Sequence, residues 1–337
     1  MIGLRAPTLV TIGLFVLMYA VFALQFPYMA TPRVAGNLLT DSAYLGILAI
    51  GMTMVIVAGG IDLSVGAVMA FSSLLIAIAI GDWGLHPLAA FAVALTLGAG
   101  FGALVGAAIH YLEAPPFIVT LTAMFLARGA ALVLSQESVP VQHPLYAQMA
   151  SWSVPLPGGG GLTLIAVIMI AAFVLGGLLL HRTRFGSQVF AVGGDARAAL
   201  LMGAPVGRVT ILIYAFSGFM AALAGVVFSI YTGAGYALSG VGVELEAIAA
   251  VVIGGALLTG GSGGMIGSFF GVMIQGLILT YITFEGSLTS WWAKIVIGLL
   301  ILMFLVLRAT GDSRWLNRLR ARWPSRQAAS GDRVRHS

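Results

Sequence analysis

Few side chains in this sequence can do chemistry, and those that can are set among apolar residues. Asp62 stands in GGIDLSVG, residues 59–66, inside an otherwise hydrophobic stretch. A carboxylate at bilayer depth costs about 2.5 to 3.5 kcal/mol on insertion scales and must be compensated. Three uses are open to it: capping the helix after the Gly59-Gly60 break through the amides of Ser64 or Val65, meeting a substrate or gating a path, or carrying a proton or ion. Ser64 shares the segment. A second group, YTGAGYALSGVGVELEAIA at 231–249, holds Tyr231, Tyr236, Glu244 and Glu246. Two positions apart on a helix, Glu244 and Glu246 point to different sides and cannot work as an acid–base pair. The tyrosines either line a path for a polyhydroxylated solute or anchor the chain at a membrane interface.

Other chemistry is missing. The single lysine, Lys294 in WWAK, is not preceded by G-x-x-x-x-G-K-[ST], so the chain has no P-loop and no ATPase site of that kind. H-E-x-x-H does not occur, the one G-x-S-x-G match, at 260–264, is part of a glycine run, and the histidines are scattered at 86, 110, 143, 181 and 336. With no cysteine there is no disulfide, thiolate metal site or cysteine nucleophile. The expectation is no catalytic residue, no metal and no cofactor.

The elements that position these residues follow from composition. The chain is 60% hydrophobic and 8% charged over 34.9 kDa, with a mean hydropathy of +1.06. That leaves too little polar surface for a water-soluble body, where about 25% charged residues is usual. A bilayer core of about 30 Å needs roughly 20 apolar residues per helix. Reading for such runs predicts about ten: roughly 8–26, 42–58, 62–80, 87–109, 117–134, 161–181, 209–230, 244–259, 264–283 and 290–308. The first run is long for a signal peptide and is read as a helix.

The formal charge of +5 is localised and does not point to nucleic acid. Arg182, Arg184, Arg197 and Arg208 share one interruption, and eight of the 16 basic residues lie between Arg308 and Arg335. An even number of spans places both groups, and Arg5, in the cytoplasm with both termini, leaving only Arg33 clearly outside. The chain therefore divides into a transmembrane domain, 1–308, a cytoplasmic loop within it, 182–208, and a basic tail, 309–337. Trp315 and Trp323 place that tail near anionic lipid. The external segment 135–160, with four prolines and a run of glycines, cannot be one regular element.

Glycine clusters interrupt two apolar segments, at Gly59–Gly66 and at Ile253–Gly264, the pattern of broken helices around a transporter's midplane site. Gly98, Gly102 and Gly106 form a small-xxx-small run that suits close helix packing. In the loop, Asp195 is an N-cap, Ala196–Met202 makes about two turns, and Gly203 stops them with Pro205 beyond. So short a helix is unstable alone, and Leu200, Leu201 and Met202 need cover, either from a partner protein or from lipid.

AIGMTMVIVAGGIDLSVGAVMAF, RTRFGSQVFAVGGDARAALLMG and GVGVELEAIAAVVIGGALLTGGSGG resemble the membrane subunits of bacterial ABC importers for monosaccharides, in the ribose and branched-chain amino acid permease superfamily. Within it RVAGNLLTDSAYLGILAIG, EAPPFIVTLTAMFLARG and VFSIYTGAGYALSGVGVELEAIA are most like the galactofuranose permeases. The resemblance implies an all-α inner-membrane permease without its own ATPase site. A cytoplasmic ATPase with two nucleotide-binding domains would drive it. A second, similar permease subunit would complete it, and a periplasmic sugar-binding protein would supply it. It implies that Arg184, Phe185, Gly186, Gly194 and Asp195 lie in the loop that docks on the ATPase, and that Asp62 and Ser64 lie beside the pathway. Asp195 stands where relatives usually carry Asn; both cap helices. The expected function is import of a monosaccharide, galactofuranose by resemblance. Ribose or another sugar on the same machinery, and an ion-coupled carrier or channel using Asp62, are the alternatives.

Overall fold

The computed structural model describes residues 6–287, 289 and 291–311. Arg5 and the basic tail from 312 onward lie outside them. Fourteen α-helices occur among the described residues: α1 (Ala6–Gln25), α2 (Pro32–Asp41), α3 (Ala43–Val57), α4 (Val65–Gly81), α5 (Pro87–Tyr111), α6 (Pro116–Leu134), α7 (Pro144–Ser151), α8 (Leu164–Arg182), α9 (Arg184–Gly194), α10 (Ala196–Leu201), α11 (Val206–Thr232), α12 (Val243–Ile253), α13 (Met265–Glu285) and α14 (Trp291–Gly311). Proline opens α2, α5, α6 and α7, where its missing N–H is no loss.

α3 is apolar all round and buried on every side, as such a helix must be. It packs against α8, α11, α12 and α13, and α4 and α5 pack on α11. The outer helices turn large apolar side chains outward, among them Leu104 on α5 and Phe125 on α6. With no water to satisfy backbone groups in lipid, helices with such faces suit a bilayer.

The seam between α5 and α11 is made by the glycines singled out above. A Cβ on Gly98 would lie 2.6 Å from the carbonyl oxygen of Gly218, one on Gly102 would fall on the carbonyl oxygen of Tyr214, and one on Gly106 would lie 2.8 Å from the Cα of Ile211. Rising numbers on α5 meet falling numbers on α11, so the two helices are antiparallel with their backbones in contact.

Both glycine breaks end a helix in the same way. In the first, the amide of Gly60 donates to Val55 O at 2.9 Å and that of Gly59 to Ile56 O at 2.9 Å, with Gly59 at φ +83°. In the second, Ala256 donates to Val251 O at 3.2 Å and Gly255 to Val252 O at 2.9 Å, with Gly255 at φ +95°. Each is a Schellman cap that needs a left-handed residue, and glycine adopts it without a Cβ clash. The likeness between the two interrupted segments therefore reaches beyond composition to backbone geometry.

Among the described residues, six helices are long and apolar enough to cross a membrane, and a seventh span results if α2 and α3, bent by 55°, count as one. Of the other expected spans, 62–80 and 244–259 hold the shorter helices α4 and α12, and 290–308 holds α14. Residues 62–64 precede α4 as a turn, α12 stops at Ile253 because the glycine cap ends it six residues before the expected boundary, and residues 161–163 form a strand. The segment 135–160 breaks up as anticipated. β1 (Val139–Pro140) pairs antiparallel with β4 (Ala234–Gly235), α7 follows, and β2 (Ser153–Pro155) pairs antiparallel with β3 (Gly161–Thr163).

One end of the bundle gathers both glycine breaks, α9, α10 and their arginines. Pro7, at the start of α1, touches Gly255 there. At the opposite end lie α7, the paired strands and the start of α14, where Ala293 and Lys294 share a cavity with Asp41 and Ser42.

Candidate functional site

Asp62 is enclosed, 2% exposed, in the turn between α3 and α4. Its Oδ1 accepts the amide of Ser64 at 3.0 Å and the Ser64 hydroxyl at 2.6 Å, and its Oδ2 accepts the hydroxyl of Ser217 at 2.7 Å. The amide contact bears out the expected link to Ser64, with a shift in position: the N-cap of α4 falls on Ser64, and Asp62 closes the turn before it. The bond to Ser217 adds what spacing along the chain cannot show, a tie from the broken segment to the middle of α11. Nearby, the carbonyl of Ile61 accepts the hydroxyls of Thr120 at 3.3 Å and Tyr214 at 3.4 Å. The first break is thus held by side chains of α6 and α11.

The two breaks meet each other and α9. The amide of Gly261 donates to Val57 O at 2.8 Å, satisfying a carbonyl that the end of α3 leaves without a helical partner. The corresponding carbonyl of α12, Ile253 O, accepts the hydroxyl of Thr11 on α1 at 2.6 Å. Gly193, in the last turn of α9, is seated where a Cβ would fall on Val57 O, and a Cβ on Gly260 would lie 2.5 Å from Gly193 O and 2.9 Å from the Cα of Gly59.

α9 was not foreseen as a helix. Thr183 caps it by accepting the amide of Gly186 at 3.2 Å, and Gly186, Val189 and Val192 form its buried stripe. That spacing after a threonine is the signal that could have found it. α10 follows the expectation closely. Asp195 Oδ1 accepts the amides of Arg197 at 2.9 Å and Ala198 at 3.0 Å, and Gly203 and Ala204 close its far end on Leu200 O and Ala199 O. Ala199 is buried beneath it, while Leu200, Leu201 and Met202 are 63%, 89% and 78% exposed. Of the other loop residues, Arg184, Gly194 and Asp195 are exposed, Phe185 packs against the core, and Gly186 lies where a Cβ would meet Leu180 O.

The remaining site residues are spread over separate places. Glu244 is buried, its Oε1 accepting the amide of Gly242 at 3.2 Å and its Oε2 lying against Gly66, the first turn of α4. Glu246 lines a cavity with Lys294, on another side of α12, as their two-residue spacing requires. The Tyr231 hydroxyl donates to Asp41 Oδ1 at 3.0 Å. Tyr236 is half-buried in the turn that leads to α12. Arg128 on α6 reaches across to that turn, its Nη1 donating to Ser239 O at 2.9 Å and also to Ala237 O. Among the described residues, no group of three or more His, Cys, Asp or Glu side chains is placed to hold a metal ion.

Apolar helices broken twice at glycine caps, with a short capped helix held beneath the breaks, define a polytopic membrane protein of the transporter class. Residues 34–305 match the family described as branched-chain amino acid transport system / permease component, and the chain belongs to it. It is 53% identical over 318 residues to the inner membrane ABC transporter permease protein YjfF of Escherichia coli K12, covering 94% of this chain and 96% of that protein. It is 36% identical to the fructose import permease protein FruG of Bifidobacterium longum, covering 90% of each chain. To the ribose import permease protein RbsC of Bacillus subtilis it is 37% identical, over 88% of this chain and 90% of that one. No solved structure matches. The chain is accordingly a multi-pass permease of the inner membrane.

Proposed function

We propose that this chain is the membrane-spanning subunit of an ATP-driven ABC importer for a neutral monosaccharide, with galactofuranose the cargo by resemblance. The observation that carries the reading is α10, whose exposed Leu200, Leu201 and Met202 sit on a helix anchored through Ala199 and continuous with α9, itself seated on both glycine breaks. A partner ATPase with two nucleotide-binding domains covers that apolar tip and moves it, with residues 182–208 as the coupling loop. Ten crossings, counting the shorter helices, bring both termini to the cytoplasmic side with Arg182, Arg184, Arg197 and Arg208. The basic tail, 309–337, rests on the anionic lipid of that face. A second, similar permease faces this one, and a periplasmic binding protein delivers sugar at the end bearing α7 and the paired strands.

Asp62, Ser64, Tyr231, Tyr236, Glu244 and Glu246 border the route in this reading. Neutral cargo fits their scarcity, because a charged solute calls for buried compensating charge. The relatives named for ribose and fructose import keep those sugars as alternative cargo. An ion-coupled carrier using Asp62 is disfavoured by three hydrogen bonds that already occupy its carboxylate.

The test is uptake into proteoliposomes holding this chain, its sister permease and the ATPase, with the binding protein added. ATP-dependent accumulation of galactofuranose, ribose or fructose is expected, and Leu200→Asp abolishes it without affecting membrane insertion. Accumulation driven by a pH gradient alone, without the ATPase, overturns the reading.

A further inference from the structure

At the end of the bundle opposite α10, the ends of α2 and α3 meet α12, α13 and α14 around a cavity of about 260 Å³. Asp41, Ser42, Glu246, Gln275, Trp291 and Lys294 line it. Ser42 and Gln275 are 4% and 1% exposed, yet Ser42 Oγ and Gln275 Oε1 have no hydrogen-bond partner. An unpartnered buried polar atom is costly, and both of these belong to residues that line the one cavity. Gln275 is held in place by its own amide, whose Nε2 donates to Glu246 O at 3.0 Å. One oxygen of Asp41 is occupied by the Tyr231 hydroxyl. The Lys294 ammonium lies 4.9 Å from the centre of the Trp291 ring.

These groups select a chemical class. Two carboxylates oppose an anion, and the ammonium of Lys294 opposes a bare cation. An apolar ligand leaves the orphaned atoms as they are. A neutral molecule whose groups both donate and accept meets all of these at once, with donors for Asp41, Glu246 and Gln275 and acceptors for Lys294. The volume lies just below the roughly 300 Å³ at which drug-sized pockets begin, which suits one small ring. We propose that this cavity is a binding site for a single neutral monosaccharide, lying within this subunit on the side where the importer would receive its cargo.

The choice of a sugar rests on the importer reading, so binding and uptake are measured separately. Saturation-transfer NMR on the full-length permease in lipid nanodiscs, with D-ribose, D-fructose and D-galactose as probes, is expected to show saturable binding of at least one. Gln275→Leu and Glu246→Gln each weaken it about tenfold, the equivalent of one good hydrogen bond. Gln275→Leu removes the Nε2 bond to Glu246 O together with the orphaned Oε1, so a cooperative melting transition is measured beside binding to mark a folded variant. Should Gln275→Leu fail to fold, Glu246→Gln decides. No saturable binding of any probe, which leaves the cavity to water, overturns the proposal. So does binding equally strong in the folded variants. An importer that moves no sugar while the permease still binds one contradicts the proposed function and leaves the cavity assignment standing.

Discussion

The amide of Gly261 and the carbonyl of Val57, 2.8 Å apart, join the two glycine breaks of this permease to each other. Gly193 of α9 closes over the same carbonyl, so a Cβ at 193 would have to displace it. Gly193→Ala is therefore expected to lower ATP-driven uptake at least tenfold, because overpacking of about 1 to 3 kcal/mol falls on the joint between the loop and the breaks. The variant still reaches the membrane. Normal uptake by it shows that this joint does not transmit motion.

Asp62 gives a second test. In Asp62→Asn the Oδ1 still accepts from Ser64, and the new amide donates to the Ser217 hydroxyl, so stability and uptake stay near normal. Asp62→Ala strands the Ser64 amide and the two serine hydroxyls, at a cost of roughly 2 to 5 kcal/mol. Thermal unfolding separates the pair. An Asn variant that is fully stable but does not transport gives the carboxylate a direct part in the pathway.

Gly102 and Gly100 lie on opposite sides of α5. A Cβ at 102 falls on Tyr214 O, whereas one at 100 meets nothing within 4 Å. Gly102→Ala is expected to destabilise the fold by about 1 to 3 kcal/mol. Gly100→Ala leaves it unchanged or raises it by up to about 1 kcal/mol, from helix propensity. Equal melting temperatures for the two variants contradict the antiparallel seam.

Because the chain has no cysteine, single thiols report sidedness directly. Leu201→Cys, on the exposed tip of α10, is expected to resist a membrane-impermeant maleimide in intact cells and to react in inverted vesicles. Ser151→Cys, at the end of α7, shows the reverse. Labelling of both from the same side removes the proposed topology.

Tyr146 of α7 supplies a pH window. Its hydroxyl is 3.1 Å from Ser229 Oγ, and burial pushes its pKa from 10.0 up to about 12. Folding favours the neutral form, so this contribution to stability is complete below pH 10 and fades as pH rises toward 12. Tyr146→Phe is expected to be about 1 kcal/mol less stable near neutrality and to lack that part of the alkaline decline. A difference between the two melting curves that does not change from pH 9 to pH 12 contradicts this.

What could be read in advance was local. Asp195, Gly203 and Pro205 announce both ends of α10 because caps act within a few residues. Gly98, Gly102 and Gly106 announce a seam, though α11 as its partner does not follow from their spacing. Asp62 announces its own turn, while Ser217 lies far along the chain and looks like any serine in an apolar helix. The same holds for Gln275 and Ser42, whose significance lies in what they lack. α9 is hard to see in sequence because its short buried stripe is small beside the basic residues around it, and hydropathy overstates α12 because apolar residues carry on through a glycine cap that ends the helix.

Where Gly193, Gly59 and Gly260 converge, main chain rests directly on main chain. Side chains that could swing between rotamers would cushion a push on the short arginine-flanked arm; bare peptide groups have nothing to yield. A displacement there would bear on both glycine breaks at once, through peptide groups alone.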